Sequence, residues 1–419
     1  MQALYTFLIV CYGLAIRIAS LFDTKAALWV KGRRDYFTRL EGVFQSLDRS
    51  GKKIAWFHCA SLGEFEQGRP IIDNFRKKYP DYMLLLTFYS PSGFEVRKVY
   101  PGVDWVFYLP LDTPANARRF IETVKPDIAF YVKYEFWFNF LSYIQLKNIP
   151  SFLISAIFRP EQHFFKWYGE WPRKVLEGFT KIFVQNESSR ELLQFIGIGD
   201  AIVCGDTSFD RVATVASLCE KVEIAEIFAK DNDVMVAGST WPEDEELLIA
   251  LINHHEDRLK FILAPHELKT EYLSTLKLKL GDKAIFLSQA NASSAANATI
   301  LIIDSIGLLS RLYHYGTLAY IGGGFGAGIH NILEPAAFGL PVFFGPNYHK
   351  FEEAKELVNL QGAFSVKNKE QLILKVSELI ENSDDLNVAS SICRHYVHDH
   401  VGATQTIMNK ISEYMETRS

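Results

Sequence analysis

The sequence predicts an α/β protein of two doubly wound parallel-sheet domains behind one strongly apolar helix. Three observations lead there. Short buried-strand signals alternate with amphipathic helical stretches twice over, in two runs of similar length. At 419 residues the chain exceeds one ordinary core, and 48% of it is apolar, enough material for two. Residues 3–16, ALYTFLIVCYGLAI, are almost wholly apolar.

The apolar segment comes first along the chain. With the Arg17 side chain reaching toward water, residues 2–22 come close to the roughly 20 apolar residues that a bilayer crossing needs. Lys25, Lys31, Arg33 and Arg34 follow and would keep the remainder of the chain in the cytoplasm. A cleaved signal peptide fits less well, because no positive charge precedes the apolar run and no small-x-small site follows it. Spanning the bilayer, lying in its interface and packing as a core helix all remain open.

In the first series, KKIAWFHCAS, DYMLLLTFYS, VDWVFYLPL, DIAFYVKYE, PSFLISAI and TKIFVQNE read as buried strands, with RPIIDNFRKKY and NARRFIETV as helices between them. In the second, DVMVAGST, LKFILAPHE, AIFLSQ, TILIID, TLAYIGGG and LPVFFGP read as strands. PEDEELLIALINHH, IGLLSRLYHYG and FEEAKELVNL are their helices. The expected division is an anchor over 1–24, an N-terminal domain over 25–208 and a C-terminal domain over 209–419, whose last helices could pack back on the first domain. SQANASSAANAT, 288–299, is compositionally biased and reads as a surface loop.

A formal charge of −5 argues against a nucleic-acid binder. Five scattered cysteines, Cys11, Cys59, Cys204, Cys219 and Cys393, form no CxxC pair and fit reduced thiols better than disulfides or structural zinc. His395, His398, Asp399 and His400 look metal-like in spacing but lie in an amphipathic stretch, where surface histidines are the better reading. The aromatic run FWFNFLSY, 136–143, fits core packing better than a lipid contact.

Open parallel sheets bind ligands at the carboxyl ends of their strands, so strand-to-helix loops carry most weight. After the first strand, SLGEFEQGRP brings Ser61, Gly63 and Glu64 to a sheet edge. Glu64 there is a general base or the acid of a capping box with Ser61; spacing alone favours the cap. In the second domain, Ser239 and Thr240 either hold a phosphate or cap the helix starting at Pro242. The glycines from Gly322 to Gly328, followed by His330 and Asn331, would turn backbone N–H groups and a helix N-terminus on an anion. Glu334, one turn into that helix, suits ribose hydroxyls or the helix dipole. The pattern is neither GxGxxG with a following acid nor a Walker loop, so dinucleotides and NTPase chemistry fit poorly.

SLGE at 61–64, LTFYSPSGFE at 86–95, GSTWPEDEE at 238–246 and HNILEPAAFGLPVFFGP at 330–346 together resemble the 3-deoxy-D-manno-octulosonic acid (Kdo) transferases of lipopolysaccharide assembly, in order along nearly the whole chain. The glycine-rich part is the most specific, whereas E-x(4)-G-x-P alone is shared by many GT-B glycosyltransferases.

The resemblance implies a GT-B fold: two Rossmann-like domains facing across a cleft, with an N-terminal membrane-anchor helix at the cytoplasmic face of the bacterial inner membrane. It implies transfer of Kdo from CMP-Kdo to a tetra-acylated lipid A precursor, with inversion; separately, no Asp-x-Asp falls in a candidate active-site loop, which favours a reaction without metal, and no cofactor is expected. On this resemblance Glu64 is the catalytic base, reversing the reading from spacing. Glu135, in YEFWFN, is placed with Ser61 and Gly63 at the acceptor. Ser239, Thr240, His266, Gly328, His330, Asn331 and Glu334 are placed around CMP, Glu334 on the ribose. Members often carry Arg-His where this chain has Pro265-His266, leaving Lys269 as the nearby cation, and Ser208 replaces a frequent lysine. The segment ISAIFRPEQ, 154–162, lacks the asparagine and arginine usual there, although Arg159 is close by. The alternative is a GT-B enzyme that uses a UDP-sugar in envelope synthesis.

Overall fold

Strand order decides where a parallel sheet keeps its crevice, and both sheets here reverse direction once. The computed structural model describes residues 1–218, 220–255 and 257–417. Cys219 lies outside the described residues. The chain forms two units, 1–211 with 402–419, and 212–401.

The first unit holds β1 (Lys53–Cys59), β2 (Tyr82–Phe88), β3 (Trp105–Tyr108), β4 (Ile128–Val132), β5 (Ser151–Ala156), β6 (Lys181–Val184) and β7 (Ile202–Val203). Their order is β3-β2-β1-β4-β5-β6-β7, and each neighbouring pair is parallel. The reversal falls between β1 and β4, where His58 pairs with Tyr131. These strands are apolar without alternation because helices cover both faces, which is why the sequence shows continuous runs. One face packs under α1 (Gln2–Ala19), α2 (Thr24–Gly32) and α3 (Tyr36–Phe44), with Trp29, Tyr36, Leu40 and Phe44 joining Trp56, Tyr108 and Phe120. The other lies under α4 (Leu62–Lys78) and the last helix, Ala403–Glu416, whose Ile407, Met408 and Ile411 share a cluster with Phe75. Asp210 fixes the start of that helix by accepting from the backbone of Gly402 at 2.8 Å and Thr404 at 2.9 Å.

The second unit holds β8 (Asp233–Thr240), β9 (Leu259–Pro265), β10 (Ala284–Phe286), β11 (Ile300–Ile302), β12 (Leu318–Ile321), β13 (Val342–Phe344) and β14 (Ala363–Ser365) in the order β10-β11-β9-β8-β12-β13-β14. Here β8 is flanked by β9 and β12, so its crevice opens where the β8 and β12 loops leave the sheet. Strands β7 and β14, two and three residues long, were not foreseen. IGLLSRLYHYG makes only the short helix Leu309–Leu312 and a 3₁₀ turn, Tyr313–Tyr315.

Helix α1 has a mean hydropathy of 1.6 over 18 residues, long and apolar enough to cross a membrane. One face is nevertheless tied to the first unit along its length. Gln2 donates to Asn139 at 3.2 Å, and the Tyr5 hydroxyl donates to Asp112 at 2.6 Å. The Tyr5 ring packs near Phe138 and Trp171, and Gly13 lets Leu111 in where a Cβ would stand 2.8 Å from its methyl. The opposite face exposes Leu4, Phe7, Leu8 and Ile18, and Leu21 and Phe22 beyond the helix are exposed too.

Asp112 is the pin of this arrangement. It also accepts from the backbone N–H groups of Asn139 and Phe140, at 3.1 and 3.0 Å, and so caps the helix Phe138–Leu146. Burial raises its pKa to about 6 against those donors. Tyr5→Phe removes one donor to a buried carboxylate and should cost about 1.5–3 kcal/mol in urea unfolding. Asp112→Ala, which also uncaps the helix, should cost more.

Candidate active site

In the first unit the loops after β1 and β4 flank the strand-order reversal and bring Ser61, Gly63, Glu64 and Glu135 to one sheet edge. Ser61 is the N-cap of α4, accepting from Gly63 N–H at 3.2 Å. Its hydroxyl donates to the Glu64 carboxylate, so Glu64 hydrogen-bonds a side chain and no backbone group. The reciprocal capping box suggested by spacing does not form. Burial pushes the Cys59 thiol up, with the carboxylates of Glu64, Glu135 and Glu66 adding to the shift.

Glu135 is held from beneath by residues that sequence reasoning did not single out. Its Oε2 is 3.1 Å from His58 Nε2 and accepts from Trp137 Nε1 at 2.5 Å. His58 is fully buried, and its Nδ1 lies 2.9 Å from Thr87 Oγ1, which accepts from Trp56 Nε1 at 2.8 Å. Trp137 Nε1 also lies 3.1 Å from His58 Nε2, so one indole N–H is shared between the imidazole and Glu135, while Trp56 donates to Thr87 on the far side of the ring. Lys133, just before this loop, has a φ of 61°, a left-handed turn that aims the following residues outward.

Beside Glu135 lies a cavity of about 630 Å³ walled by Tyr5 and Ile9 of α1 and by Phe136, Phe138, Phe164 and Trp171. The run 136–143 is divided in use. Phe138, Phe140 and Leu141 are buried core, while Phe136 and Trp137 are half-buried.

In the second unit the crevice loops place three rings in a stack. Trp241 lies 4.4 Å from His266 between centroids, and His266 lies 4.8 Å from His330. Trp241 Nε1 donates to His330 Nε2 at 3.3 Å. An indole nitrogen only donates, so Nε2 is the acceptor and Nδ1 of neutral His330 carries the proton. Burial, and after it His266, lowers the pKa of His330, keeping the ring neutral at pH 7. Asn331 is exposed, its Oδ1 accepting from Leu333 N–H at 3.0 Å and its amide 3.5 Å from Glu334.

Several expectations need correction. Neither Ser239 nor Thr240 caps the helix Pro242–His254. Trp241 is the N-cap residue and its N–H goes to Asp244 at 3.0 Å. Thr240 is buried and donates to Glu245, while half-buried Ser239 adopts a φ of 54°. The helix after His330 is only Leu333–Ala337, so Glu334 is its second residue. The glycines serve packing first. A Cβ on Gly322 would stand 2.2 Å from Ser239 O, and one on Gly324 2.5 Å from Gly345 N. The N–H groups of Gly326, Gly328 and His330 are donated within the loop, which leaves anion contacts mainly to side chains. Lys269 pairs with Glu267 at 3.0 Å. His395 and His398 are exposed, and among the described residues no group of His, Cys, Asp or Glu is arranged to hold a metal.

Two parallel-sheet Rossmann-like units with paired strand-end loops are the architecture of GT-B enzymes. A glycosyltransferase from Rickettsia africae is similar in fold, with a TM-score of 0.56 at 13% identity, covering 87% of this chain and 98% of that one. Residues 34–211 match the family model described as 3-deoxy-D-manno-octulosonic-acid transferase (kdotransferase). The 3-deoxy-D-manno-octulosonic acid transferase of Aquifex aeolicus is 29% identical over 345 residues, 80% of this chain and 89% of its own length. That of Haemophilus influenzae is 24% identical over 98% of this chain and 97% of its own. Along nearly its whole length the chain is thus similar to Kdo transferases, which are glycosyltransferases.

The His330 assignment is open to NMR. Its ring should show a protonated Nδ1 and a titration midpoint below 6.5, and Trp241→Phe should let the two tautomers mix. Because the folded pKa is depressed, any stability drawn from neutral His330 is complete above about pH 6.5, the unfolded value, and is lost as pH falls below it.

Proposed function

We propose that this protein transfers Kdo from CMP-Kdo to a tetra-acylated lipid A precursor, with inversion, at the cytoplasmic face of a bacterial inner membrane. The observation that carries the reading is Glu64, a carboxylate at the strand-order reversal whose hydrogen bond comes from Ser61 Oγ, in a chain that follows Kdo transferases end to end.

Glu64 takes the proton of the attacking acceptor hydroxyl as its oxygen bonds the anomeric carbon and the bond to the CMP phosphate breaks. Ser61 orients that carboxylate, Gly63 keeps the approach open, and Glu135, steadied by His58 and Trp137, accepts from a sugar hydroxyl of the acceptor. On the donor side, Nδ1–H of His330 and the Asn331 amide donate to the phosphate. Developing charge on the leaving group is thus met by preoriented dipoles, with no step assigned to a metal. Ser239 completes the phosphate contacts, Gly328, whose own N–H goes to Gly323 O, shapes the loop around them, His266 and Trp241 offer ring faces, and Thr240 supports Ser239 from below. Glu334 accepts from the ribose hydroxyls.

The aromatic cavity beside Glu135 favours an acyl-bearing acceptor. Because the domain occupies one face of α1, the helix lies in the membrane interface with its exposed face in the acyl region.

Incubation with CMP-Kdo and the lipid A precursor in detergent should add whole Kdo masses to the acceptor, read by mass spectrometry. Glu64→Ala should bind donor normally yet lose about 10²- to 10⁴-fold in turnover. CMP should raise the melting temperature and UDP should not; the reverse would favour a UDP-sugar donor.

A further inference from the structure

A second cavity, of about 710 Å³, lies between α1, α2 and α3 and the loop at Pro110 and Leu111. Four cations line it, Arg17, Lys31, Arg33 and Arg34, and no Asp or Glu does. Arg34 meets exposed Asp35 only at 3.9 Å, and among the described residues no carboxylate lies within ion-pair distance of the other three.

Arg33 is the deepest. It donates to the carbonyls of Leu109 at 2.9 Å, Trp29 at 3.2 Å and Tyr89 at 2.8 Å, and its guanidinium sits 3.8 Å from the Trp29 ring. Burial without a counter-charge brings its pKa down to about 10. Two neutral donors share the cavity wall. Trp29 and Tyr36 are 8% and 5% exposed, and neither Trp29 Nε1 nor the Tyr36 hydroxyl has a hydrogen-bond partner. Buried donors without acceptors are costly, and two of them beside uncompensated positive charge call for anionic oxygens.

The remaining wall says what carries those oxygens. Val10 and Leu14 line the cavity and also belong to the exposed side of α1, so the apolar surface runs from that side into the cavity. The volume far exceeds a free phosphate and suits a lipid-sized ligand. The geometry points to a phospholipid site: the phosphodiester of an anionic phospholipid accepts from Trp29 and Tyr36 among the four cations, and its acyl chains leave along Val10 and Leu14.

The test needs neither CMP-Kdo nor transfer, so its failure is separable from failure of the proposed reaction. The full chain, delipidated in nonionic detergent, is melted with dihexanoyl phosphatidylglycerol, dihexanoyl phosphatidylcholine or inorganic phosphate. Phosphatidylglycerol should raise the melting temperature well beyond the other two. Tyr36→Phe should melt no lower than the parent without lipid, since it removes an unpaired buried donor, yet bind phosphatidylglycerol about tenfold more weakly. Lys31→Gln with Arg34→Gln should weaken it further.

Equal shifts with both lipids, or with phosphate alone, would overturn the assignment. So would a Tyr36→Phe protein that melts lower but responds to lipid like the parent, because its hydroxyl would then be structural. Native mass spectrometry separates the last source. If the bis-phosphorylated acceptor displaces bound phosphatidylglycerol one for one, the cavity belongs to the acceptor and the phospholipid site falls.

Discussion

Both sites follow from one constraint: a parallel sheet whose strand order reverses leaves a crevice that its own backbone cannot fill. Two neighbouring strands send their chains in opposite directions there, and the loops diverge. In the first unit the gap lies between β1 and β4, and in the second between β8 and β12. Side chains must then brace the loops from below. His58 does so for Glu135. Asp244 does so in the second unit, where its carboxylate takes the N–H groups of Trp241 and Gly323 and the Tyr320 hydroxyl. Burial raises the Asp244 pKa, and those three donors act against that rise, as expected where a charge is retained for geometry.

The two braces differ in kind. Asp244 accepts everything offered to it and spans two loops, so the Trp241–His266–His330 stack inherits a fixed platform. His58 sits mid-chain between Thr87 and Glu135 and passes the brace from one side chain to the next. Under the proposed function the fixed platform would hold the nucleotide, and the relayed brace would hold the carboxylate that meets the acceptor.

Much of the fold was legible because buried parallel strands write themselves as unbroken apolar runs. KIAWFHC and VMVAGST are such runs, while the two-residue β7 and three-residue β14 are too short to register. The same uniformity hid His58: in a strand covered on both faces, no alternation marks a polar residue as aimed at anything. Glu64 was ambiguous for another reason. Cap and base share one spacing, and the bond from Ser61 Oγ removes only the reciprocal cap. The glycine cluster misled in emphasis, since close backbone approach marks packing against β8 and Gly345 as readily as it marks a ligand. Trp241 was in plain sight between Thr240 and Pro242, but the stack it starts is assembled from three distant loops.

The Tyr5–Asp112 contact makes the apolar helix more than a tether. Asp112 holds the first turn of the helix Phe138–Leu146, whose start lies three residues after Glu135. Sideways load on α1 therefore passes through one carboxylate to the loop that presents Glu135. Under the proposed function the membrane-facing helix and the loop of Glu135 form a single lever, and the depth at which the helix rides in a bilayer would set the posture of that loop.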